Sequence, residues 1–252
     1  MPLVSAQAVV LQTFPYSETS KILRLFTREM GLRSVIAKGA LRPKSRFGGL
    51  LEPFTVGVAD FYLREGRDLH TLGGWELTRS HQALGDDLTR FAGASLAAEL
   101  VLRSATEEPH EALYDALVTI YGALVAAENA RSEGIAIAGA WWMVALLGFG
   151  PQTDACVRCG RLLGPREPAR FDVEAGGVTC RSCRPAGRLV SPEARAELRD
   201  LFTGRAPAGA LGNPGMHRAL LRAYLAAQLS GDRPLRSLDL FLQQGLTGPD
   251  PT

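Results

Sequence analysis

Four cysteines are the residues of this chain whose spacing most narrows the chemistry open to them. They lie in "CVRCGRLLGPREPARFDVEAGGVTCRSC" as Cys156, Cys159, Cys180 and Cys183, a C-x2-C pair, twenty intervening residues and a second C-x2-C pair. Two thiolates three positions apart on a tight turn can share one ion, and a second such pair completes a tetrahedron. Gly160, directly after the first pair, suits that turn. The chain holds four Cys in all, so none is left over. Two disulfides are the competing reading, disfavoured because "MPLVSAQAVVLQTF" has no basic leader before its apolar run and no signal peptide is expected. A redox dithiol needs one pair, not two. Four thiolates leave no open coordination position, so the expected role is structural: one Zn2+ stapling a segment with little core of its own. Arg158, Arg161, Arg181 and Arg184 decorate the knuckles, as solvated surface or as phosphate contacts.

The second feature is a basic stretch, "VIAKGALRPKSRFGGLLEP", residues 35–53. From Lys38 to Gly49 it carries Lys38, Arg42, Lys44 and Arg46 and no carboxylate. Lys44-Ser45 ends like a phosphate-binding G-x-x-x-x-G-K-S loop, but the match fails. Lys38 and Pro43 stand where glycines are required, and Pro43 has no N–H to offer a phosphate. The four histidines, His70, His81, His110 and His217, are scattered, and no nucleophile motif or paired carboxylate stands out. Enzymatic chemistry is therefore not expected. What remains is binding, with Arg28 and Arg33 on adjoining strands extending the positive face. Phe47, Phe61, Tyr62 and Trp75 are candidate stacking platforms, with an inward core role as the competing reading for Phe61 and Trp75.

Charge is unevenly distributed. Residues 1–80 hold 11 Lys+Arg against 7 Asp+Glu, residues 81–150 hold 3 against 9, and residues 151–252 hold 14 against 10. A basic head, an acidic middle and a basic tail suggest separate modules facing different partners. Residues 134–153 are uncharged, but their apolar part is short and ends in "GFGP", so a buried core helix is expected there rather than a membrane span.

These groups need elements to position them. Ala6 to Phe14, "KILRLFT" (21–27), "GLRSVIAKG" (31–39), "PFTVGVADFYLR" (53–64) and "DLHTLGGWEL" (68–77) read as strands, with a bulge or bend at Gly57. Five strands with a long connection at 38–52 suit a small barrel. From about residue 85 the apolar period becomes helical: Phe91, Ala94, Ala98 and Leu102, then Leu113, Leu117, Ile120 and Leu124. Further helices are expected at 133–148, at 191–202 with Ser191 as N-cap and Pro192 in the first turn, at 216–229 and at 234–244. The expected organisation is an α+β multi-domain chain. Residues 1–80 are expected to form the small barrel that carries the basic face, 81–152 and 189–245 a helical domain in two parts, 153–188 an inserted four-cysteine zinc module, and 246–252 a disordered tail.

Taken together, "AVVLQTFPYSETSKILRLFTREMGLRSVIAKGALRPKS", "LLEPFTVGVADFYLREGRDLHTL", the four-cysteine module after a helical stretch and "RPLRSLDLFL" resemble the RecO recombination-mediator family of bacterial DNA repair, over nearly the whole chain. The resemblance implies an N-terminal OB-fold, a helical domain and an inserted zinc module, although not every member keeps the cysteines. It also implies a non-enzymatic, cytoplasmic, nucleoid-associated protein. Such a protein binds single- and double-stranded DNA, anneals complementary strands, and works with RecR to load RecA on DNA coated by single-strand-binding protein. The family's basic face maps onto Arg28, Arg33, Lys38, Arg42, Lys44 and Arg46. The acidic, Phe-ended tail of single-strand-binding protein would be repelled by the acidic middle, so the expected contact is the Arg218–Arg222 stretch. The rival readings are a protein-interaction adaptor whose basic loop docks an acidic partner and, less well supported, a zinc-dependent hydrolase.

Overall fold

The computed structural model describes residues 2–64, 66–183, 187–205, 211–229 and 234–244. The expected tail at 246–252 and Arg184 lie outside them. The chain divides into two compact units, Met1–Asp87 with Ala98–Val125, and Leu88–Ala97 with Ala126–Thr252.

In the first unit, β1 (Leu3–Tyr16), β2 (Ser20–Thr27), β3 (Gly31–Ala37), β4 (Val56–Tyr62) and β5 (Leu69–Arg79) close into a barrel in the order β1-β2-β3-β5-β4. β3 and β5 run parallel, and the other neighbours run antiparallel. This is an OB-like barrel. Closure pairs every edge, and curling lets five short strands enclose a core that a flat sheet could not. Alternate residues point inward: Ala6, Ala8 and Val10, then Leu23 and Leu25, Val35 and Ala37, Ala59 and Phe61, and Leu72. The connection from Lys38 to Thr55 closes the barrel with Phe47 and Leu51, both buried in that same core. Gly57 sits at a register shift between β4 and β5, as its place in the run suggests. A Cβ there would stand 2.8 Å from the Trp75 ring.

Helix α1 (Leu88–Ser104) runs from one unit into the other. In the first unit α2 (Glu111–Ala126) buries Leu113, Leu117, Ile120 and Leu124, the expected stripe. Its Tyr114 meets Phe26 at 6.2 Å between ring centroids, and its Tyr121 meets Phe54 edge-on at 5.3 Å.

The second unit is built on α3 (Asn129–Val144), which starts four residues before the expected position and buries Ile135, Ile137, Trp141, Met143 and Val144. Residues 129–149 are long and apolar enough to cross a membrane. Here they are a core helix, because Trp141 is fully buried between Phe202 and Tyr224, each at 5.3 Å. α4 (Pro192–Leu201) starts as expected, with the Ser191 hydroxyl accepting from the Ala194 N–H at 3.2 Å. α5 (Pro214–Gln228) is capped by Asn213, and α6 (Arg236–Gln244) follows. Between α3 and α4 the cysteine segment folds onto a three-stranded sheet of β6 (Ala169–Asp172), β7 (Gly177–Thr179) and β8 (Arg188–Val190), ordered β7-β6-β8. Strands of three or four residues are too short to show an alternation, so nothing in the sequence announces them.

Candidate metal centre and nucleic-acid interface

The first knuckle is a turn closed by backbone hydrogen bonds. The Gly160 N–H donates to the Cys156 carbonyl at 2.8 Å, and the Cys156 N–H donates to the Arg161 carbonyl at 2.9 Å. Gly160 has φ +73°, the left-handed conformation for which glycine is suited. The second knuckle, from Cys180 to Cys183, is anchored through β7, and the Val157 N–H donates to the Val178 carbonyl at 2.9 Å, tying the two together. All four Sγ atoms lie within 4.8 Å of one another. The Cys159 and Cys180 sulfurs are 3.8 Å apart. A tetrahedron of bonds of about 2.3 Å to one ion has edges of about 3.8 Å, so the donor set fits zinc in size and softness. Burial pushes the Cys156 thiol up, but amide hydrogen bonds from Cys180, Arg158 and Cys159 outweigh it and bring it down to about 6. Cys183 is pushed up to about 12, its proton held by the sulfurs of Cys159, Cys180 and Cys156. A divalent cation among the sulfurs would replace that shared proton.

Two of the knuckle arginines have carboxylate partners: Arg158 reaches Asp172 at 2.8 Å, and Arg161 forks onto Glu167. Arg181 lines a cavity of about 340 Å³ with Arg170 and Leu189.

On the barrel, Lys38, Arg42, Lys44 and Arg46 are exposed, and among the described residues none of the four forms an ion pair. Arg46 stacks over the Phe47 ring, 4.8 Å from its centroid. The loop is fastened by the Leu41 N–H, which donates to the Thr19 carbonyl at 2.9 Å, and the apolar anchors Phe47 and Leu51 hold its far side in the core. Lys and Arg between such anchors are left pointing at water. Arg28 and Arg33 differ, since Arg28 pairs with Glu111 and Asp115, and Arg33 with Glu107.

The aromatic candidates divide. Phe47 and Phe61 are buried, so neither can stack on a base from this conformation. Trp75 packs partly against the barrel core. Tyr62 is 39% exposed. Sequence reading missed Phe14 and Tyr16, which stay outside on β1 at 43% and 50% exposure. The signal was their alternation around Pro15 at the end of a strand.

Of the histidines, His70, His81 and His217 are buried. His217 bonds Glu197 at 2.7 Å, His81 the Phe54 carbonyl at 2.9 Å, and His110 accepts from the Leu113 N–H in the first turn of α2. On α5, Arg218 pairs with Glu133, and Arg222 lies 3.9 Å from Asp239.

Two family models match this chain. Recombination protein O N terminal covers residues 1–81, and Recombination protein O C terminal covers residues 85–239. The chain belongs to the RecO family. Relatives include the DNA repair protein RecO of Anaeromyxobacter sp. (strain Fw109-5), 41% identical over 187 residues that cover 73% of this chain and 72% of that protein. The DNA repair protein RecO of Rubrobacter xylanophilus is 34% identical over 241 residues, 92% of this chain and 94% of that protein. The RecO protein of Nocardioides sp. (strain ATCC BAA-499 / JS614) is 34% identical over 244 residues, 92% of this chain and 96% of that protein. The RecO likeness thus spans the barrel, the helices and the cysteine segment.

Proposed function

We propose that this RecO-family chain is a non-enzymatic, DNA-binding recombination mediator in DNA repair. In this reading residues 1–80 are the DNA-binding domain, 81–152 with 189–245 the helical domain, and 153–188 a structural module holding one Zn2+ on Cys156, Cys159, Cys180 and Cys183. Arg28, Arg33, Lys38, Arg42, Lys44 and Arg46 form the DNA-binding face. The four loop cations contribute most, because Arg28 and Arg33 already face carboxylates.

The observation that carries the reading is a loop, anchored by the Leu41–Thr19 bond and by buried Phe47 and Leu51, with four exposed cations, unpaired among the described residues, on a closed OB-like barrel. Such a loop neutralises phosphates without reading bases, so it serves single and double strands alike. Annealing then follows from charge: a surface that neutralises two strands at once lowers their mutual repulsion, and no catalytic group is required. Cooperation with RecR, loading of RecA and contact with single-strand-binding protein through Arg218–Arg222 complete the proposed role, in the cytoplasm and at the nucleoid.

The test is fluorescence anisotropy of a labelled single strand across a salt series. Wild type is compared with Lys38→Ala/Arg42→Ala/Lys44→Ala/Arg46→Ala. A steep slope of log affinity on log salt should flatten by about 0.7 for each phosphate contact removed. An unchanged slope together with loss of an acidic protein partner would make the loop a docking site and sink the proposal.

A further inference from the structure

Helix α4 buries a stripe of Arg195, Leu198 and Leu201. Residues three apart share one face of a helix, and an apolar side chain would be the ordinary occupant of all three positions. Arg195 stands in the first of them, only 1% exposed. Its Nη2–H donates to the Gly164 carbonyl, in the segment between the two cysteine pairs. Its Nε and Nη1 are buried with no hydrogen-bond partner, and among the described residues Arg195 forms no ion pair. An arginine cannot shed its proton to escape such a site. A buried charge left without a partner is strongly destabilising, so something anionic has to balance it.

The carboxylate of the same loop is already shared. Glu167 accepts from the Gly164 N–H at 3.3 Å and from both terminal nitrogens of Arg161, one of them at 3.1 Å. Its carboxyl is held below the usual range by Arg161 above all, against desolvation, with the Gly164 N–H and the charge of Arg195 adding to the effect. Two guanidiniums thus act on one carboxylate, which leaves one positive charge over. Arg161 in turn is held charged by Glu167 first and then by the Cys180 sulfur, toward which it donates. The run Arg195, Glu167, Arg161 and Cys180 therefore leads from the buried face of α4 to the four-sulfur cluster. The remaining charges around the cluster are matched or stand in water. Arg158 pairs with Asp172, Arg199 on α4 pairs with Asp154, and Arg181 is exposed. Four thiolates around one divalent ion form a dianion. That is the negative charge the run lacks.

We propose that Arg195, acting with Arg161 across Glu167, is the counter-charge of the metal-loaded four-sulfur centre and thereby ties metal binding in the module to its docking on α4. The inference rests on the zinc reading above and adds to it a residue outside the module that sets the affinity. Arg195 touches no sulfur; it acts through the Gly164–Glu167 turn, whose carbonyl it holds.

The test compares wild type with Arg195→Met, which keeps the volume and removes the charge, and with Arg195→Lys, which keeps the charge. Zinc affinity of the full chain is read by competition with a chromophoric chelator, and thermal melts are recorded with zinc and after its removal. Arg195→Met should bind zinc at least about tenfold more weakly, the loss expected when a group supporting the ligands is removed. It should also gain less in melting temperature from zinc than wild type gains. Its metal-free form should melt no lower than metal-free wild type, because apolar volume replaces a buried unpaired charge at no loss. Arg195→Lys should keep most of the affinity. Wild-type affinity in Arg195→Met, or equal drops in melting temperature with and without zinc, would make Arg195 a packing residue. Either result would overturn the inference and leave the zinc reading standing, as would a lysine variant weakened as much as the methionine one. A wild type that takes up no zinc would overturn both.

Discussion

Arg28 forks onto Asp115: its Nε–H donates to Oδ1 at 3.1 Å and its Nη2–H to Oδ2 at 3.2 Å, with Glu111 a further 2.7 Å contact. This pair joins the β2–β3 turn to α2 across 87 residues of sequence. It also changes what the arginine can do. A cation with two carboxylates beside it presents little net field to a passing phosphate, whereas Lys38, Arg42, Lys44 and Arg46 present theirs undiluted.

Neutralising single cations should therefore give unequal results. Each loop substitution to Ala is expected to lower the salt slope for duplex DNA by up to about 0.9. Arg28→Ala is expected to lower it by clearly less and to reduce the melting temperature, because Asp115 and Glu111 are left facing each other. Equal slopes for Arg28→Ala and Lys44→Ala would show that the carboxylates release Arg28 when DNA arrives.

The cysteine cluster should bind one divalent ion per chain. Metal analysis of the purified protein is expected to give one zinc, and Cys156→Ser/Cys183→Ser substantially less, because two thiolates cannot close the tetrahedron. Cobalt substitution should produce the visible absorption of a tetrahedral thiolate site. Chelation should lower protection of the β6–β8 segment from hydrogen exchange while leaving the barrel amides protected. Uniform loss over both units would mean the metal stabilises more than its own module.

Acid should weaken the first unit through a buried ring. Burial lowers the pKa of His81, against the opposing effect of its hydrogen bond to the Phe54 carbonyl. His70 is lowered too, again by burial first. The folded state thus favours the neutral rings, so their contribution is complete above the unfolded value of about 6.5. It is lost as pH falls through the lower folded values. Thermal melts should shift downward from pH 7 to pH 5, and His81→Gln should shift less over that range than wild type, whatever its melting point at pH 7.

Gly31 and Gly49 separate strain from collision. Both have positive φ, +68° and +71°. A Cβ on Gly31 would stand 2.6 Å from the Thr106 carbonyl oxygen and also strike that of Glu108, whereas one on Gly49 meets nothing within 4 Å. Gly49→Ala should cost about 1 kcal/mol of conformational strain, and Gly31→Ala more, since backbone must move as well. Denaturant titration of the two variants measures the difference.

Much of this was legible from residue types and spacing alone. The C-x2-C pairs announce the four-sulfur cluster because two thiols three apart on a tight turn already lie close together, so local geometry suffices. Five strands and the stripe of α2 could be read because burial on one face imposes a period. The capping of α4 by Ser191 is likewise a matter of neighbours. Tertiary structure decided the rest. Whether Phe47 meets solvent or core depends on where an 18-residue connection returns to the barrel, and it returns to plug it. The carboxylates that take Arg28 and Arg33 arrive from residues 107–115. The alignment of Phe14, Ile22, Ile36 and Tyr62 across the outside of the barrel exists only once the strand order and register are set. An outward apolar side chain on one strand is unremarkable until closure of the barrel lines it up with others.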